Sequence, residues 1–324
     1  MNPDTTSRGM VKILAACVAL GLITVAGTLA WSGGGFHRVS SLATGAPAAA
    51  TEEFGRRLIT QTPEFLGPDV GDPKMRYMKS RLACASCHIG AGVDPGNLSL
   101  ATAFRKYPRI SPRSGANETI EDRINGCMMR SMNGRPLPEH GAEMIAMVGY
   151  LRFLADQDAA TGAARRTAHE PPALKTPPRA ANLQAGERVF EKRCAACHGR
   201  DGSGLQAAPD PVHGYVFPPL WGPDSFNDGA GMHRVLTAAR FIKARMPLGA
   251  ADLNDDQAFD VAAFLNSRPR PEMAGLGQDY PDRSKKPVDT GYGPYADSFP
   301  VEQHRFGPFA PIEAYYKVRS SPAR

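Results

Sequence analysis

Two short cysteine motifs are the residues of this sequence best suited to chemistry. They read CASCH, with Cys84, Cys87 and His88, and CAACH, with Cys194, Cys197 and His198. Two cysteines at this spacing can each form a thioether with a haem vinyl group, and the adjacent histidine then lies beneath the iron as its proximal ligand. One such motif could be chance, a redox motif or a zinc motif. Two of them, one in each predicted domain, predict two covalently bound haem c groups.

The second motif has further features of a haem-binding segment around it. In GERVFEKRCAACHGRDGSG, Gly186 and Phe190 lie on the helix predicted before the motif, and glycines follow it. Small residues let the chain pass close to the edge of a haem. The segment resembles the class I cytochrome c domain, in which a later methionine, often before proline, is the distal ligand. Met246, in FIKARMPLG, matches that methionine, with His213 and His233 as alternatives.

The first motif has no Met-Pro sequence after it in the first domain, so its distal ligand must come from elsewhere. The candidates are Met128, Met129, Met132, Met144, Met147, His140 and Cys127. Thr119 and Asp122 are spaced as a capping box. With a stop signal at Asn133, they predict one short helix from about Ile120 to Met132.

On that helix, Arg123, Cys127 and Ser131 are spaced at i, i+4 and i+8 and share one stripe. A cation, a thiol and a hydroxyl are an unusual combination for a buried helix face. A neighbouring cation favours the thiolate, which is the metal-binding and nucleophilic form of cysteine. Free buried cysteines are otherwise usually inert. The stripe by itself is therefore compatible with either an inert or a reactive Cys127.

Longer stretches around these residues match a known family. They are ETIEDRINGCMMRSMNGRPLP, PPLWGPDSFNDGAGMHRVLTAARFIKARMPLG and YGPYADSFPVEQHRFGPFAPIE, taken with both cysteine motifs in this order. On these stretches the sequence resembles the dihaem thiosulfate dehydrogenases, which are periplasmic enzymes that couple two thiosulfates into tetrathionate. The resemblance extends over nearly all of the chain beyond its N-terminal segment.

The resemblance implies a set of site residues. In that family a cysteine after the first haem site is the distal ligand of the active-site haem, and Cys127 matches it. Arginines and a serine surround this cysteine, and by local alignment they match Arg113, Arg123 and Ser131. Some members carry a lysine before the ligand methionine of the second haem and exchange the two ligands. This chain has Arg245 there, and a guanidinium is always protonated and a poor iron ligand, so we expect no such exchange.

The implied substrate is a dianion, and two dianions repel each other unless cations hold them. Residues 101–135 carry seven basic and three acidic side chains, a net charge of +4. We hypothesise that Arg113 and Arg123 bind sulfonate oxygens and that Ser131 donates a hydrogen bond. Cys127 would leave the iron and form a sulfur–sulfur adduct with one thiosulfate, which a second thiosulfate attacks. Electrons would pass from the His/Cys-ligated haem to the His/Met-ligated haem and on to an external acceptor such as a small periplasmic cytochrome.

Two other functions stay open at this point. A non-catalytic, membrane-tethered dihaem electron-transfer cytochrome explains both haems but needs no cysteine among arginines. A haem protein that transfers thiosulfate onto a carrier cysteine, as in the sulfur-oxidation multienzyme system, would need a partner protein. The sequence does not fix the direction of the reaction between thiosulfate and tetrathionate.

Composition and the N-terminus indicate an exported globular protein. The 324 residues are 42% hydrophobic, and the formal net charge of +6 comes without a basic run, which argues against nucleic acid as a partner. Arg8 and Lys12 precede an apolar run from Ile13 to Trp31. This run is either a cleaved signal peptide or an inner-membrane anchor, and in both cases the rest of the chain is predicted to be periplasmic.

We predict an all-α fold with two cytochrome c-like haem domains joined by a linker. An N-terminal apolar helix precedes them, and an irregular C-terminal tail, rich in proline, glycine and tyrosine, packs on them. The predicted boundaries are 1–31 for the signal or anchor, 32–50 for a flexible spacer, 51–162 for the first domain, 163–182 for the linker, 183–268 for the second domain and 269–324 for the C-terminal extension.

The identity of the first distal ligand can be tested by spectroscopy. We expect electron paramagnetic resonance of the oxidised protein to show a low-spin His/thiolate signal, which Cys127→Met removes, because thiolate and thioether ligands split the iron d orbitals differently. A wild-type spectrum with His/Met signals alone would favour the electron carrier.

Overall fold

The computed structural model describes residues 48–94, 98–161 and 173–320. The predicted apolar helix at 13–31 and the spacer up to residue 47 lie outside these residues, as does the first half of the predicted linker, 163–172. Among the helices that are described, none has the length and hydropathy needed to cross a bilayer.

The first domain is built on two long helices, α1 (Ala48–Thr60) and α4 (Ala142–Ala160), which pack against each other. Between them lie α2 (Thr62–Leu66), α3 (Ile120–Arg130) and the antiparallel strands β1 (Arg109–Ile110) and β2 (Asn117–Glu118). Short 3-10 helices occupy Pro73–Met75, Cys84–Ser86, Gly90–Gly92 and Phe104–Lys106. The CASCH motif therefore lies after α2, in a segment whose regular structure is limited to short 3-10 helices. Helix α1 begins three residues before the predicted domain boundary at residue 51.

The second domain has the same arrangement of helices, and its CAACH motif includes a short α-helix. Its helices are α5 (Leu183–Arg193), α6 (Ala195–His198), α7 (Val235–Arg245) and α8 (Asp255–Ser267), and its strands are β3 (Leu205–Gln206) and β4 (Tyr215–Phe217), which are antiparallel. Further 3-10 helices lie at Pro211–His213 and Gly231–His233. The predicted capping box of α8 is confirmed, since Asn254 Oδ1 accepts the Gln257 N–H at 2.9 Å.

In each domain the first and last helices cross at a glycine. A Cβ added to Gly55 of α1 would lie 2.1 Å from the Ala146 carbonyl oxygen of α4, and one on Gly186 of α5 would lie 2.1 Å from the Asp260 carbonyl oxygen of α8. Real Cβ contacts are never so short, so only glycine allows the two backbones to approach this closely. In the second domain the CAACH motif continues directly from the end of α5, whereas in the first domain α2 and a 3-10 helix lie between α1 and CASCH.

The C-terminal extension packs on both domains, as predicted. It is irregular up to Pro300, apart from 3-10 helices at Leu276–Gln278 and Arg283–Lys285, and then forms α9 (Val301–Phe306) and α10 (Ala310–Ser320). The sequence did not predict these two helices. They are short, and Phe306, Phe309 and Ile312 are buried in the core of the second domain, so packing stabilises them more than intrinsic helix propensity does.

Side chains also connect the two domains directly. The Arg81 backbone N–H donates to Asp224 Oδ1 at 2.9 Å, and its guanidinium donates to Asp224 Oδ2 at 3.2 Å. His213, one of the alternative iron ligands, instead pairs with Glu64 of the first domain at 3.0 Å. Residues 213–229 of the second domain therefore lie against the first domain.

The two helix crossings can be tested by substitution. We expect Gly55→Ala and Gly186→Ala each to lower the free energy of unfolding by about 1–3 kcal/mol, because the added methyl group must push a helix backbone away. Thermal or chemical unfolding of the haem-loaded protein measures the change.

Gly149→Ala is the matched control within α4. Its Cβ would lie 3.5 Å from Thr51 Cγ2, an ordinary contact, and alanine favours the helix over glycine by up to about 1 kcal/mol. Equal stabilities for Gly55→Ala and Gly149→Ala would contradict the close crossing.

Candidate active site

Helix α3 positions Cys127 through its two ends. At the start, Thr119 Oγ1 accepts the Asp122 N–H at 3.1 Å, and the Asp122 carboxylate accepts the Thr119 N–H at 2.9 Å, which confirms the predicted capping box. The helix ends at Arg130, two residues earlier than predicted, and Ser131 is its C-cap residue. The Ser131 N–H donates to the Cys127 carbonyl oxygen at 2.8 Å, so Ser131 lies one turn beyond Cys127.

Cys127 lies near both the arginine of the stripe and the CASCH motif. The pKa of Arg123 is raised, chiefly by the negative charge of a Cys127 thiolate, with a smaller contribution from the nearby side chain of Tyr107. Burial raises the pKa of Cys84 to about 12 and that of Cys87 to about 11, with a smaller contribution from Cys127 charge. The structure thus brings the motif cysteines, Cys127 and Arg123 to one place in the first domain.

Both motif histidines are oriented for metal binding. His88 donates its Nδ1 hydrogen to the Leu98 carbonyl oxygen at 2.7 Å, and His198 donates its Nδ1 hydrogen to the Pro218 carbonyl oxygen at 2.8 Å. Such a bond fixes the tautomer in which Nε2 carries the lone pair for a metal. Burial lowers the pKa of both imidazoles, which favours this neutral form. Two thiols and one such imidazole in each domain fit a covalently bound haem.

Met246 follows α7 directly and is half-buried against the core of the second domain. Next to the CAACH motif, the rings of Phe190 and Trp221 lie 4.9 Å apart and those of Phe190 and Phe264 lie 5.6 Å apart. These aromatic side chains form an apolar wall beside the half-buried Cys194. The surroundings suit a haem edge and a neutral thioether ligand.

Arg245, which precedes Met246, and the alternative ligand His233 each have other partners. Arg245 forms an ion pair with Asp94 of the first domain, in the segment that follows His88. His233 donates from Nδ1 to the Asp228 carbonyl oxygen at 2.8 Å, and burial lowers its pKa to about 4. It lies beside Gly291 and Arg305 of the extension, in agreement with a residue that contacts the tail.

The other candidate ligands of the first iron have different surroundings. Met128, Met132, Met144 and Met147 are each at most 4% exposed and belong to the hydrophobic core of the first domain. His140 is exposed, and Met129 is half-buried. Among the candidates, Cys127 has the interactions described above with Arg123 and with both motif cysteines.

Arg113, which the resemblance placed beside Cys127, is bound by the C-terminal extension. Its Nη1 donates to Asp279 Oδ2 at 2.6 Å and to the Tyr292 hydroxyl at 3.1 Å. Asp279 Oδ1 accepts a hydrogen bond from Arg130 Nη2 at 2.8 Å. Because Arg130 lies three residues after Cys127 on α3, Asp279 connects Arg113 to the helix that carries the cysteine.

Comparisons with known proteins identify the family of this chain. Residues 75–158 match the family model described as the SoxA/TsdA cytochrome c domain, and residues 181–265 match the one described as cytochrome c oxidase, cbb3-type, subunit III. A thiosulfate dehydrogenase from Allochromatium vinosum is 43% identical over 222 residues, which cover 67% of this chain and 77% of that protein. The chain belongs to the thiosulfate dehydrogenase family.

A solved structure and a shorter relative give two further comparisons. A thiosulfate dehydrogenase (TsdBA) from Marichromatium purpuratum, in its as-isolated form, has a TM-score of 0.62 and 31% identity. The match covers 71% of this chain and 48% of that chain, so this chain spans about half of that structure. A thiosulfate dehydrogenase electron acceptor from Stutzerimonas stutzeri is 33% identical over 95 residues, 29% of this chain and 40% of that protein.

The two cytochrome c domains of this family member carry two covalently bound c-type haems. The fold prediction of two haem domains is confirmed by the same comparisons and by the helix-rich structure. The roles of individual site residues stay predictions.

Four residues that contact the candidate site residues or their helix were not predicted from the sequence. They are Tyr107, Asn227, Asp279 and Tyr292. Asn227 is buried, and its Nδ2 donates to the Met129 carbonyl oxygen at 2.8 Å while its backbone N–H donates to the Arg130 carbonyl oxygen at 3.1 Å. It therefore satisfies the carbonyl groups at the end of α3 from the second domain. The aromatic content of the C-terminal extension predicted that this extension packs on the domains, but no sequence signal singled out Asn227.

The contribution of Asn227 can be measured. We expect Asn227→Ala to lower the free energy of unfolding by about 1–3 kcal/mol, because the Met129 carbonyl loses the hydrogen bond that the buried Asn227 side chain donates. We also expect the low-spin signal of the first haem to broaden as α3 loosens. Asn117→Ala, which changes an exposed residue of β2, is the control and should leave both measurements unchanged. Equal unfolding curves for the two variants would contradict a role for Asn227.

Proposed function

We propose that this protein oxidises two thiosulfates to tetrathionate at Cys127 and passes the electrons through two haems to an external acceptor. The observation that carries the proposal is the position of Cys127, beside the Arg123 guanidinium and close to Cys84 and Cys87 of the first haem motif. Family membership supports the same substrate.

We assign the haem-holding residues from the donor sets of the two domains. Cys84, Cys87 and His88 would hold the first haem with Cys127 as its distal ligand, and Cys194, Cys197 and His198 would hold the second with Met246 as its distal ligand. When bound, each haem supplies an iron that takes up and releases one electron at a time.

The protein side chains bind the substrate and supply the nucleophile. Arg113 and Arg123 hold sulfonate oxygens, and Ser131 donates a hydrogen bond to the bound anion. The Cys127 thiolate forms a sulfur–sulfur bond with the terminal sulfur of the first thiosulfate, and two electrons leave the pair. The second thiosulfate attacks the thiosulfate sulfur of this adduct, breaks its bond to Cys127 and releases tetrathionate with the thiolate regenerated. Atoms and charge balance, since two thiosulfates become one tetrathionate and two electrons.

The two distal ligands set the direction of electron flow. With the haems bound, Cys127 as a thiolate ligand would lower the reduction potential of the first iron relative to that of the second, which Met246 would ligate, and this difference would favour electron transfer from the first haem to the second. A redox protein such as a small periplasmic cytochrome then takes the electrons. We place the protein in the periplasm, with the apolar run at 13–31 as its export signal or membrane tether.

The proposed roles of Cys127 and Arg123 can be tested with two variants. We expect Cys127→Ala to lower kcat for thiosulfate oxidation by at least about a hundredfold, because the sulfur that forms the adduct is gone. Arg123→Gln should raise KM and lower kcat, because the side chain would no longer hold the anion or favour the thiolate. Both parameters are measured for each variant from the steady-state reduction of an artificial electron acceptor, with tetrathionate measured as the product.

Arg135→Gln is the control, because Arg135 is an exposed arginine of the same domain that donates to the Lys74 carbonyl oxygen. It should keep wild-type kinetics. Haem content measured in each sample excludes incomplete loading as the cause. Turnover by Cys127→Ala equal to that of wild type would refute the proposal.

A further inference from the structure

The C-terminal extension holds one arginine of the site by four contacts. Asp279 and Tyr292 accept hydrogen bonds from Arg113 Nη1, and Tyr292 in turn donates to Asp279 Oδ2 at 2.6 Å. The ring of Tyr280 lies 5.2 Å from the Arg113 guanidinium carbon, and its backbone N–H donates to the Arg113 carbonyl oxygen at 2.7 Å. The side chain and the backbone of Arg113 are both fixed by a segment distant in sequence.

The backbone of this segment is held in an uncommon conformation. Tyr280 has φ +59°, a region that a bulky side chain rarely adopts. In this conformation its N–H and its ring both face Arg113. Residues in such conformations persist where the surroundings determine them and are concentrated at functional sites.

Two further contacts fix the carboxylate itself. Arg130 of α3 donates to Asp279 Oδ1, and Asp279 is 8% exposed. The Lys286 Nζ lies 4.6 Å from the centre of the Tyr292 ring and donates to the Pro294 carbonyl oxygen at 3.1 Å, which holds the tyrosine in place. Burial raises the pKa of Asp279, but the Tyr292 hydrogen bond and the charges of Arg113 and Arg130 outweigh it, and the pKa is lower than usual. The carboxylate is therefore ionised at neutral pH.

Arg113 keeps one edge of its guanidinium available. Both of its hydrogen bonds use Nη1, and within the described residues Nε and Nη2 have no hydrogen-bond partner. These two nitrogens form a planar fork that matches two oxygens of a sulfonate group. The two arginines and one carboxylate together retain a net positive charge for an incoming anion.

We infer that Asp279 and Tyr292 are positioning residues, which aim the Nε and Nη2 edge of Arg113 at the sulfonate of thiosulfate. This inference rests on the proposed function, since it assigns how the same site binds its substrate. The opposite role is that Asp279 competes with the substrate for Arg113. A competing carboxylate would occupy the Nε and Nη2 edge, whereas Asp279 binds at Nη1 and is itself held by Arg130 and Tyr292.

The two roles predict opposite changes in Asp279→Asn. Loss of a negative charge by itself strengthens the binding of a dianion, so a competing carboxylate predicts a lower KM in the variant. For a positioning role we expect KM and the dissociation constant of thiosulfate to rise by about tenfold, with a smaller change in kcat, because Arg113 loses its charged anchor. Steady-state kinetics and calorimetric titration of the haem-loaded full chain with thiosulfate measure both quantities.

Matched controls come from the same extension. Asp282→Asn removes an exposed carboxylate that accepts from the Ser284 N–H, and it should leave KM and the dissociation constant unchanged. Tyr292→Phe removes the hydroxyl between Arg113 and Asp279 and should weaken binding by about threefold. Tyr295→Phe removes a hydroxyl that donates to the Thr290 carbonyl oxygen and should have no effect. If Asp279→Asn does not fold, the comparison of Tyr292→Phe with Tyr295→Phe decides the question.

The same measurements separate the inference from the proposed function. Wild-type protein that binds thiosulfate but forms no tetrathionate would refute the function, and the binding constants of the variants would still test the inference. Wild-type turnover with an unchanged or lower dissociation constant in Asp279→Asn and an unchanged one in Tyr292→Phe would overturn the inference alone. Wild-type protein that neither binds nor oxidises thiosulfate would overturn both.

Discussion

The close crossing of two helices in each domain is the constraint on which the rest of the structure depends. At Gly55 and Gly186 the first helix of a domain approaches the backbone of the last helix more closely than any side chain would permit. With the two helices in contact at the back of the domain, the intervening chain is free to form loops on the other side. Both cysteine motifs, α3 and Met246 belong to that intervening chain. The haem-attachment motifs therefore lie in the chain between two packed helices.

The C-terminal extension supplies buried carboxylates to residues of both domains. Asp279 lies between Arg113 and Arg130 of the first domain, and Asp289 accepts from Arg234 and from the Leu236 N–H at the start of α7. A buried carboxylate is stable only when cations and N–H groups replace its water. Each pairing therefore has a defined geometry. The helix that carries Cys127 and the helix that leads to Met246 are oriented from outside their own domains.

Much of the local structure could be predicted from the sequence because its signals are local. The capping boxes at Thr119 and Asn254 and the stripe of Arg123, Cys127 and Ser131 depend on residues a few positions apart. The partners of Arg113 and of the α3 carbonyl groups could not be predicted in this way. Asp279 and Asn227 act across long sequence separations, and neither carries a motif. The helices α9 and α10 were missed for a related reason, since their stability comes from a core formed by other segments.

The burial of Phe309 and Ile312 in the core of the second domain has a consequence for how the protein matures. A polypeptide is made from its N-terminus, so Cys194 and His198 emerge well before the residues that close the core beside them. The core beside this motif is therefore complete only after α9 and α10 have packed on it. A chain cut at residue 268 would keep its cysteine motif and lose Phe306, Phe309 and Ile312 from that core.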